Sequence, residues 1–381
     1  MNCIYLNNSA SSFPKPPSVH QAIEAFLQQP PLYSSRNSPA LTPHKDLKNT
    51  CRQALASLFN APHPSQIIFT SGATESLNLA LKGLDLQGKH VVTSSLEHNS
   101  VLRILKNMEQ KGEIELSIVP CKVDGSLEPS TLLKEVQEHT AAVVLSHCSN
   151  VTGAVVDLAT IGQALVAKDI TFVVDASQSA GLYPIDVQAF GIDILCFTGH
   201  KALWGLAGIG GLYIHKKLTL TPLKLGGTGS HSNLLYQPPT GPSYYEAGTA
   251  NFVGILSLYE GVNYLQKVGL LRVQKNIQTK VALIKKALGK HPNIQLYTPA
   301  NQSPTLLSFT IKGIDNEDVG YLLAQNFGIL VRTGLHCAPL IHQYIGAGSE
   351  GTIRVSPSFF TTDEEIELFL EAMQEILKMI E

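Results

Sequence analysis

The sequence predicts an α/β protein, with a large and mostly parallel sheet followed by a smaller α+β region. Three observations carry this. Short apolar runs recur through the first two thirds of the chain. Amphipathic stretches of helical period separate most of them. The pattern then changes beyond about residue 256, where a smaller set of strands and helices without the regular alternation reads as an α+β region.

The apolar runs lie at 66–70, 90–94, 141–146, 171–175, 192–198 and 211–214. Each is too short for a helix and is largely apolar, so each reads as a buried strand. Helical periodicity between them covers Leu47–Phe59, Asn99–Gln110 and 132–138. Strand–helix alternation of this kind builds parallel sheets. The run 211–214 follows its predecessor after a glycine-rich turn and is a candidate antiparallel strand.

The stretch 222–242 is rich in Gly, Pro, Ser and Thr and reads as a long loop of the lid or binding kind. A helix is expected at 253–268, then strands at 306–311, 329–332 and 352–356 and helices at 317–326 and 363–380. Thr362 and Glu365 have capping-box spacing. The expected division is an arm at 1–15 packing with the small domain, a large domain at 16–255 and a small domain at 256–381.

The chain has 381 residues, enough for two domains and a sizeable core. Hydrophobic residues make up 44% and charged residues 15%, which excludes intrinsic disorder. Lys and Arg total 28 against 30 Asp and Glu, so no basic surplus suggests nucleic acid. No apolar run approaches a membrane span, and residues 1–8 show no signal-peptide pattern. Six cysteines at 3, 51, 121, 148, 196 and 337 form no CxxC pair. Neither a metal site nor a disulfide framework is expected, and a cytoplasmic location is.

Four local patterns can carry chemistry. Lys201 ends the run Cys196-Phe197-Thr198-Gly199-His200-Lys201 in apolar, glycine-rich surroundings. Desolvation there frees a lysine amine for Schiff-base chemistry, although a surface lysine at a strand end fits the spacing too. Asp175 ends Val173-Val174-Asp175, where open α/β sheets bind ligands. It suits a pyridinium nitrogen or, more plainly, the cap of the next helix. Thr70-Ser71-Gly72-Ala73-Thr74 leads a strand into a helix N-terminus, which is a phosphate site or an ordinary capped turn. No dinucleotide-binding glycine fingerprint or P-loop is present. Last, Arg332-Thr333-Gly334-Leu335-His336-Cys337-Ala338, followed by Arg354, places a thiol among cations. It reads as an activated cysteine beside carboxylate-binding arginines or as a small buried hydrophobe.

In this order, with His98 and Asn150 between them, the patterns resemble a fold-type I pyridoxal-phosphate enzyme. The likeness runs from Tyr5 to the Arg354 region. It is narrower still to the class V aminotransferase family and, within it, to cysteine desulfurases. The Arg-x-Gly-x-His-Cys-Ala form is similar to group II desulfurases and selenocysteine lyases.

The resemblance implies a role for each position. Lys201 would be the Schiff-base lysine and proton carrier, and Asp175 would pair with the pyridinium nitrogen. Gln178 would reach the phenolic oxygen, His98 would stack on the ring, and Asn150 would lie near the phenolic oxygen and substrate. Ala73, Thr74, Thr198 and His200 would hold the phosphate. Thr249 would reach the phosphate of a second subunit, which implies a homodimer. Arg354, assisted by Arg332, would clamp the substrate carboxylate. Cys337 would take sulfur from L-cysteine as a persulfide, leaving L-alanine, and a sulfur-acceptor protein or small thiol would collect it. Selenocysteine lyase, C–S lyase and aminotransferase activities belong to the same family, as would a non-catalytic cofactor-binding interaction module. The chain departs from the usual pattern at Asn7, where aspartate is common, and at Ala73, Thr198, Ala250 and Thr361.

Overall fold

The computed structural model describes residues 3–28, 46–229 and 233–379. The chain opens with β1 (Ile4–Tyr5), α1 (Pro17–Leu27), α2 (Leu47–Phe59), β2 (Ile67–Thr70) and α3 (Ala73–Gly83). It continues through β3 (Lys89–Ser94), α4 (Asn99–Gln110), β4 (Ile114–Val119), α5 (Pro129–Lys134), β5 (Thr140–Ser146), α6 (Leu158–Val166), β6 (Thr171–Asp175), β7 (Ile194–Thr198) and β8 (Gly210–Ile214). The remainder holds α7 (Phe252–Val268), α8 (Leu270–Leu288), β9 (Ile294–Tyr297), β10 (Leu307–Ile311), α9 (Asn316–Phe327), β11 (Ile329–Leu330), α10 (Pro339–Tyr344), β12 (Ile353–Val355) and α11 (Asp363–Met379).

Seven strands form one sheet in the order β2-β8-β7-β6-β5-β3-β4. The pairs among β7, β6, β5, β3 and β4 are parallel, and β8 runs antiparallel to both β7 and β2. The expected mostly parallel sheet and its antiparallel strand are thus both present. Two reversals leave β2 pointing the same way as β7. The carboxyl ends of β2, β3, β5, β6 and β7 therefore share one edge.

The sheet is buried on both faces, which explains the continuous apolar runs. Val144, Val173, Ile194 and Cys196 face one cluster, which takes in Leu77 and Leu105 from α3 and α4. Val143, Val174, Leu195 and Phe197 face the other, with Leu55 and Phe59 of α2. The edge strand β4 escaped the sequence reading because Glu115 is exposed and Leu116 to Ile118 are only partly buried. The expected helix at 132–138 lies instead at Pro129–Lys134, because Pro129 at its start sets the helical φ.

Toward the C-terminus, β12-β10-β9 form an antiparallel sheet, and β1 pairs in parallel with β11. The expected strand 329–332 shortens to β11, with Arg332 in a separate bridge to Arg354. The capping box is present: Thr362 N–H donates to Glu365, and Glu365 N–H donates to Thr362 Oγ1. Residue 380 of the expected last helix and 230–232 of the expected loop lie outside the described residues. No helix among the described residues is long and apolar enough to cross a membrane.

Gly210 and Gly211 let β8 pass between its neighbours. A Cβ on Gly210 would sit 2.6 Å from the Gly72 Cα and the Phe197 carbonyl oxygen. Gly210→Ala should therefore destabilise the protein by about 1–3 kcal/mol through overpacking. Urea unfolding of the two proteins checks this, and an unchanged midpoint would show that the sheet yields there at no cost.

Candidate active site

The shared strand edge opens into a cavity of about 350 Å3. Five strand ends supply its wall: Gly72, Ala73 and Thr74 after β2, His98 after β3, Ser146 and Asn150 at β5, Asp175 and Gln178 at β6, and Thr198, His200 and Lys201 at β7. Arg332, His336 and Arg354 close it from the C-terminal region. The predicted residues Ala73, Thr74, His98, Asn150, Asp175, Gln178, Thr198, His200, Lys201, Arg332 and Arg354 all line it. Cys337 stands beside it, and Thr249 does not line it.

Gly72 has φ 154° and ψ 178°, a backbone region open almost only to glycine. It turns β2 into α3 without a side-chain cap, and the first helical donor to bond is Ser76 N–H, to the Gly72 carbonyl. The N–H groups of Ala73 and Thr74 are left free at the positive end of the helix, an arrangement suited to an anion.

His98 is the cap of α4. Its Nδ1 accepts from Ser100 N–H at 3.0 Å, which places the ring proton on Nε2. Burial lowers its pKa to about 4, so the ring is neutral. Burial likewise lowers His200 to about 4, and its Nδ1 is buried without a partner. Asp175 Oδ1 accepts from Ser177 N–H at 2.9 Å and from the Ser177 hydroxyl, which leaves Oδ2 for another donor.

Lys201 sits among cations. Burial pulls its amine down to about 8, opposed by Asp175 and aided by Arg354 and Arg332. Its main chain is tied from the N-terminal arm. The Ser12 hydroxyl donates to the Lys201 carbonyl at 2.8 Å, and Lys15 Nζ donates to the His200 carbonyl at 2.9 Å. Gln178 Nε2 donates to the Ser9 carbonyl at 2.9 Å, another tie to the same arm.

The Cys337 loop is held in an unusual shape. His336 and Cys337 both have positive φ, 51° and 59°, which costs non-glycine residues energy. Both of their carbonyls are bonded, and the His336 ring nitrogen Nε2 lies 2.9 Å from Thr352 Oγ1. Asn150 Nδ2 donates to the His336 carbonyl at 2.6 Å, and the first N–H of α4, on Asn99, donates to the Cys337 carbonyl at 2.7 Å. The Asn150 amide nitrogen is thereby committed to the loop. The Cys337 thiol lies 3.3 Å from an Arg332 Nη. All six cysteines are free, and the thiol that lines the cavity itself, Cys148, is pushed up to about 12 by burial.

One residue of this edge was not singled out in the sequence. Glu97 is fully buried beside His98. It accepts from the Ser94 hydroxyl at 2.6 Å and from the Ser146 N–H and hydroxyl at 2.8 and 2.7 Å, so it staples β3 to β5. Its only sequence signal was a charge next to His98 in Ser94-Ser95-Leu96-Glu97. Burial raises it from 4.5 to about 7 despite these bonds.

Two outcomes follow from these environments. In the cofactor-free protein, Lys201 should react with an amine reagent with a midpoint near pH 8, read by peptide mass spectrometry, since the free amine accumulates above its pKa. A midpoint near 10.5 would mean the amine is solvated. For Glu97, the raised pKa favours the folded state below about pH 4.5 and loses that contribution as pH rises through about 7. Glu97→Gln should remove a pH-dependent stability component of about 3 kcal/mol between those limits, measured by denaturant unfolding at several pH values.

The class-V aminotransferase family matches residues 4–369. A probable cysteine desulfurase of Methanothermobacter thermautotrophicus is 31% identical over 386 residues, spanning 99% of this chain and 95% of the relative. The apo cysteine desulfurase of Thermococcus onnurineus has a TM-score of 0.90 and 29% identity, over 99% and 95% of the two chains. The cysteine desulfurase CsdA of Escherichia coli has a TM-score of 0.90 and 26% identity, over 100% and 96%. A match over nearly the whole length, on a fold that gathers the family's motif positions at one sheet edge, places this chain in the class-V aminotransferase family.

Proposed function

We propose that this chain is a cysteine desulfurase, converting L-cysteine to L-alanine and carrying the sulfur on Cys337 as a persulfide. The observation that carries this reading is the Cys337 thiol, 3.3 Å from Arg332 and fastened beside the cavity that Lys201 lines. A transaminase has no use for a thiol there.

Enzymes of the class-V family depend on pyridoxal phosphate. The residues present fit it. The free N–H groups of Ala73 and Thr74, the Thr198 hydroxyl and the unpartnered His200 Nδ1 suit its phosphate. Asp175 Oδ2 suits the pyridinium nitrogen, the neutral His98 ring suits the ring face, and Gln178 suits the phenolic oxygen. Thr249 is assigned to the phosphate of a second subunit. When bound, the cofactor supplies an electron sink that makes the substrate Cα–H acidic.

The chain's own groups do the rest. Arg354, with Arg332, binds the substrate carboxylate and orients the molecule. Lys201 Nζ, with a pKa of about 8, takes the Cα proton and returns it during turnover. The Cys337 thiolate attacks the substrate sulfur. An S–S bond forms as the substrate Cβ–S bond breaks, and that bond's electron pair stays with the fragment that is protonated to alanine. A thiol of an acceptor protein or a small molecule then takes the persulfide sulfur.

The same reading includes a cytoplasmic homodimer and a division into an arm at 1–15, a large domain at 16–255 and a small domain at 256–381. The exposed Leu225, Leu235 and Tyr236 support a second copy, because apolar side chains grouped on one loop favour burial. The seven-stranded sheet ends at residue 214 and the three-stranded sheet begins at 294, which supports the division.

The test is alanine and sulfide production from L-cysteine with a dithiol reductant, for the wild type and Cys337→Ala. The variant should lose roughly 10³-fold or more in turnover while its cofactor absorbance persists. Sulfide release at the wild-type rate would remove Cys337 from the reaction.

A further inference from the structure

Ser100 bridges two parts of the site that come from different strands. Thr74 lies in the first turn of α3, after β2, and His98 caps α4, after β3. The Ser100 hydroxyl is 2.9 Å from Thr74 Oγ1 and 2.8 Å from His98 Nδ1. All three residues line the cavity. Leu77 of α3 and Leu105 of α4 share one apolar cluster, so packing holds the two helices together.

The ring sets the direction of this row. His98 Nδ1 accepts from Ser100 N–H at 3.0 Å, so it carries no proton. The Ser100 hydroxyl therefore donates to it as a second donor. That hydroxyl has one hydrogen, so toward Thr74 it accepts. The row runs from the Thr74 hydroxyl to the Ser100 hydroxyl to Nδ1. Thr74 also stands at the positive end of α3, where an anion is favoured. An anion there is a stronger acceptor than a neutral hydroxyl and takes the Thr74 hydroxyl for itself. Thr74 Oγ1 is then open to the Ser100 hydroxyl, which turns away from the ring.

We propose that Ser100 is a positioning residue that couples the phosphate turn to the His98 ring: an anion in the turn reverses the row of hydroxyls and removes one of the two donors from Nδ1. This rests on the reading that the α3 N-terminus takes the cofactor phosphate. Hydrogen bonds to the neutral ring work against its protonation. A filled turn therefore leaves His98 a stronger base than an empty one does.

The test uses the full cofactor-free chain with isotopically labelled histidine, nitrogen NMR, and inorganic phosphate as the probe. It is run at about pH 8, far above the ring's pKa of about 4. The His98 signal is identified by its loss in His98→Gln, and occupancy of the turn is read from the Ala73 and Thr74 amide resonances. In the wild type, phosphate should move the Nδ1 resonance downfield, the direction of a lost donor. Ser100→Ala keeps the main-chain donor and should bind phosphate within about tenfold of wild type. Its Nδ1 resonance should already lie downfield without phosphate and move little on addition. Thr74→Val removes the other end of the row. Its Nδ1 resonance should stay upfield with phosphate bound, and it carries the test alone should Ser100→Ala fail to fold. A wild-type Nδ1 that stays still or moves upfield while the amides respond, or a full downfield shift in either variant, would overturn the proposal. Amides that do not respond at any phosphate concentration would overturn the phosphate reading and the proposal with it. If the shift occurs and L-cysteine is not turned over, the desulfurase reading fails and the coupling stands.

Discussion

Burial of the sheet on both faces is the constraint on which the rest depends. Strands β5, β6 and β7 have nowhere to place a polar group except at their ends. The double reversal at β8 then puts the end of β2 on the same edge as theirs. The glycine turn after β2, the acid, the lysine and the histidine are therefore gathered into one layer by packing, although 130 residues of chain lie between Thr70 and Lys201.

The charge within that layer is unequal. Lys201, Arg332 and Arg354 bring three cations to the cavity, against two carboxylates, Asp175 and Glu75, and Glu75 is paired with Lys224. Glu97 sits behind the wall, where burial works toward its neutral form. The excess of positive charge lowers the lysine's hold on its proton and prepares the site for anionic ligands. Desolvation is the larger cause, since it acts on Lys201, His98, His200 and Arg354 alike.

The N-terminal arm and the Cys337 loop are the two pieces that the sheet does not supply. Each is fastened by hydrogen bonds to strand-end residues: the arm through Ser9, Ser12 and Lys15, the loop through Asn150 and Asn99. Positive φ at His336 and Cys337 is held by those bonds, so the thiol's position is a tertiary property and not a local preference.

The regular strands and the chemistry at their ends can be read from residue order alone. Runs such as Val173-Val174-Asp175 announce both the strand and the polar terminus, because burial on both faces demands unbroken apolar residues. Strand β4 was hidden, since its exposed Glu115 breaks the pattern, and so were β1 and β9, which are too short or too mixed to carry a period. The site was legible wherever a residue type is unusual for its setting, as with Lys201 and Asp175. It was not legible where ordinary residues acquire a role through partners far along the chain. Glu97 reaching Ser146, Asn150 committing its amide to His336 and Asn7 meeting Arg354 are set by contacts across the fold. No local spacing encodes those contacts, and only tertiary packing brings the partners within hydrogen-bond reach.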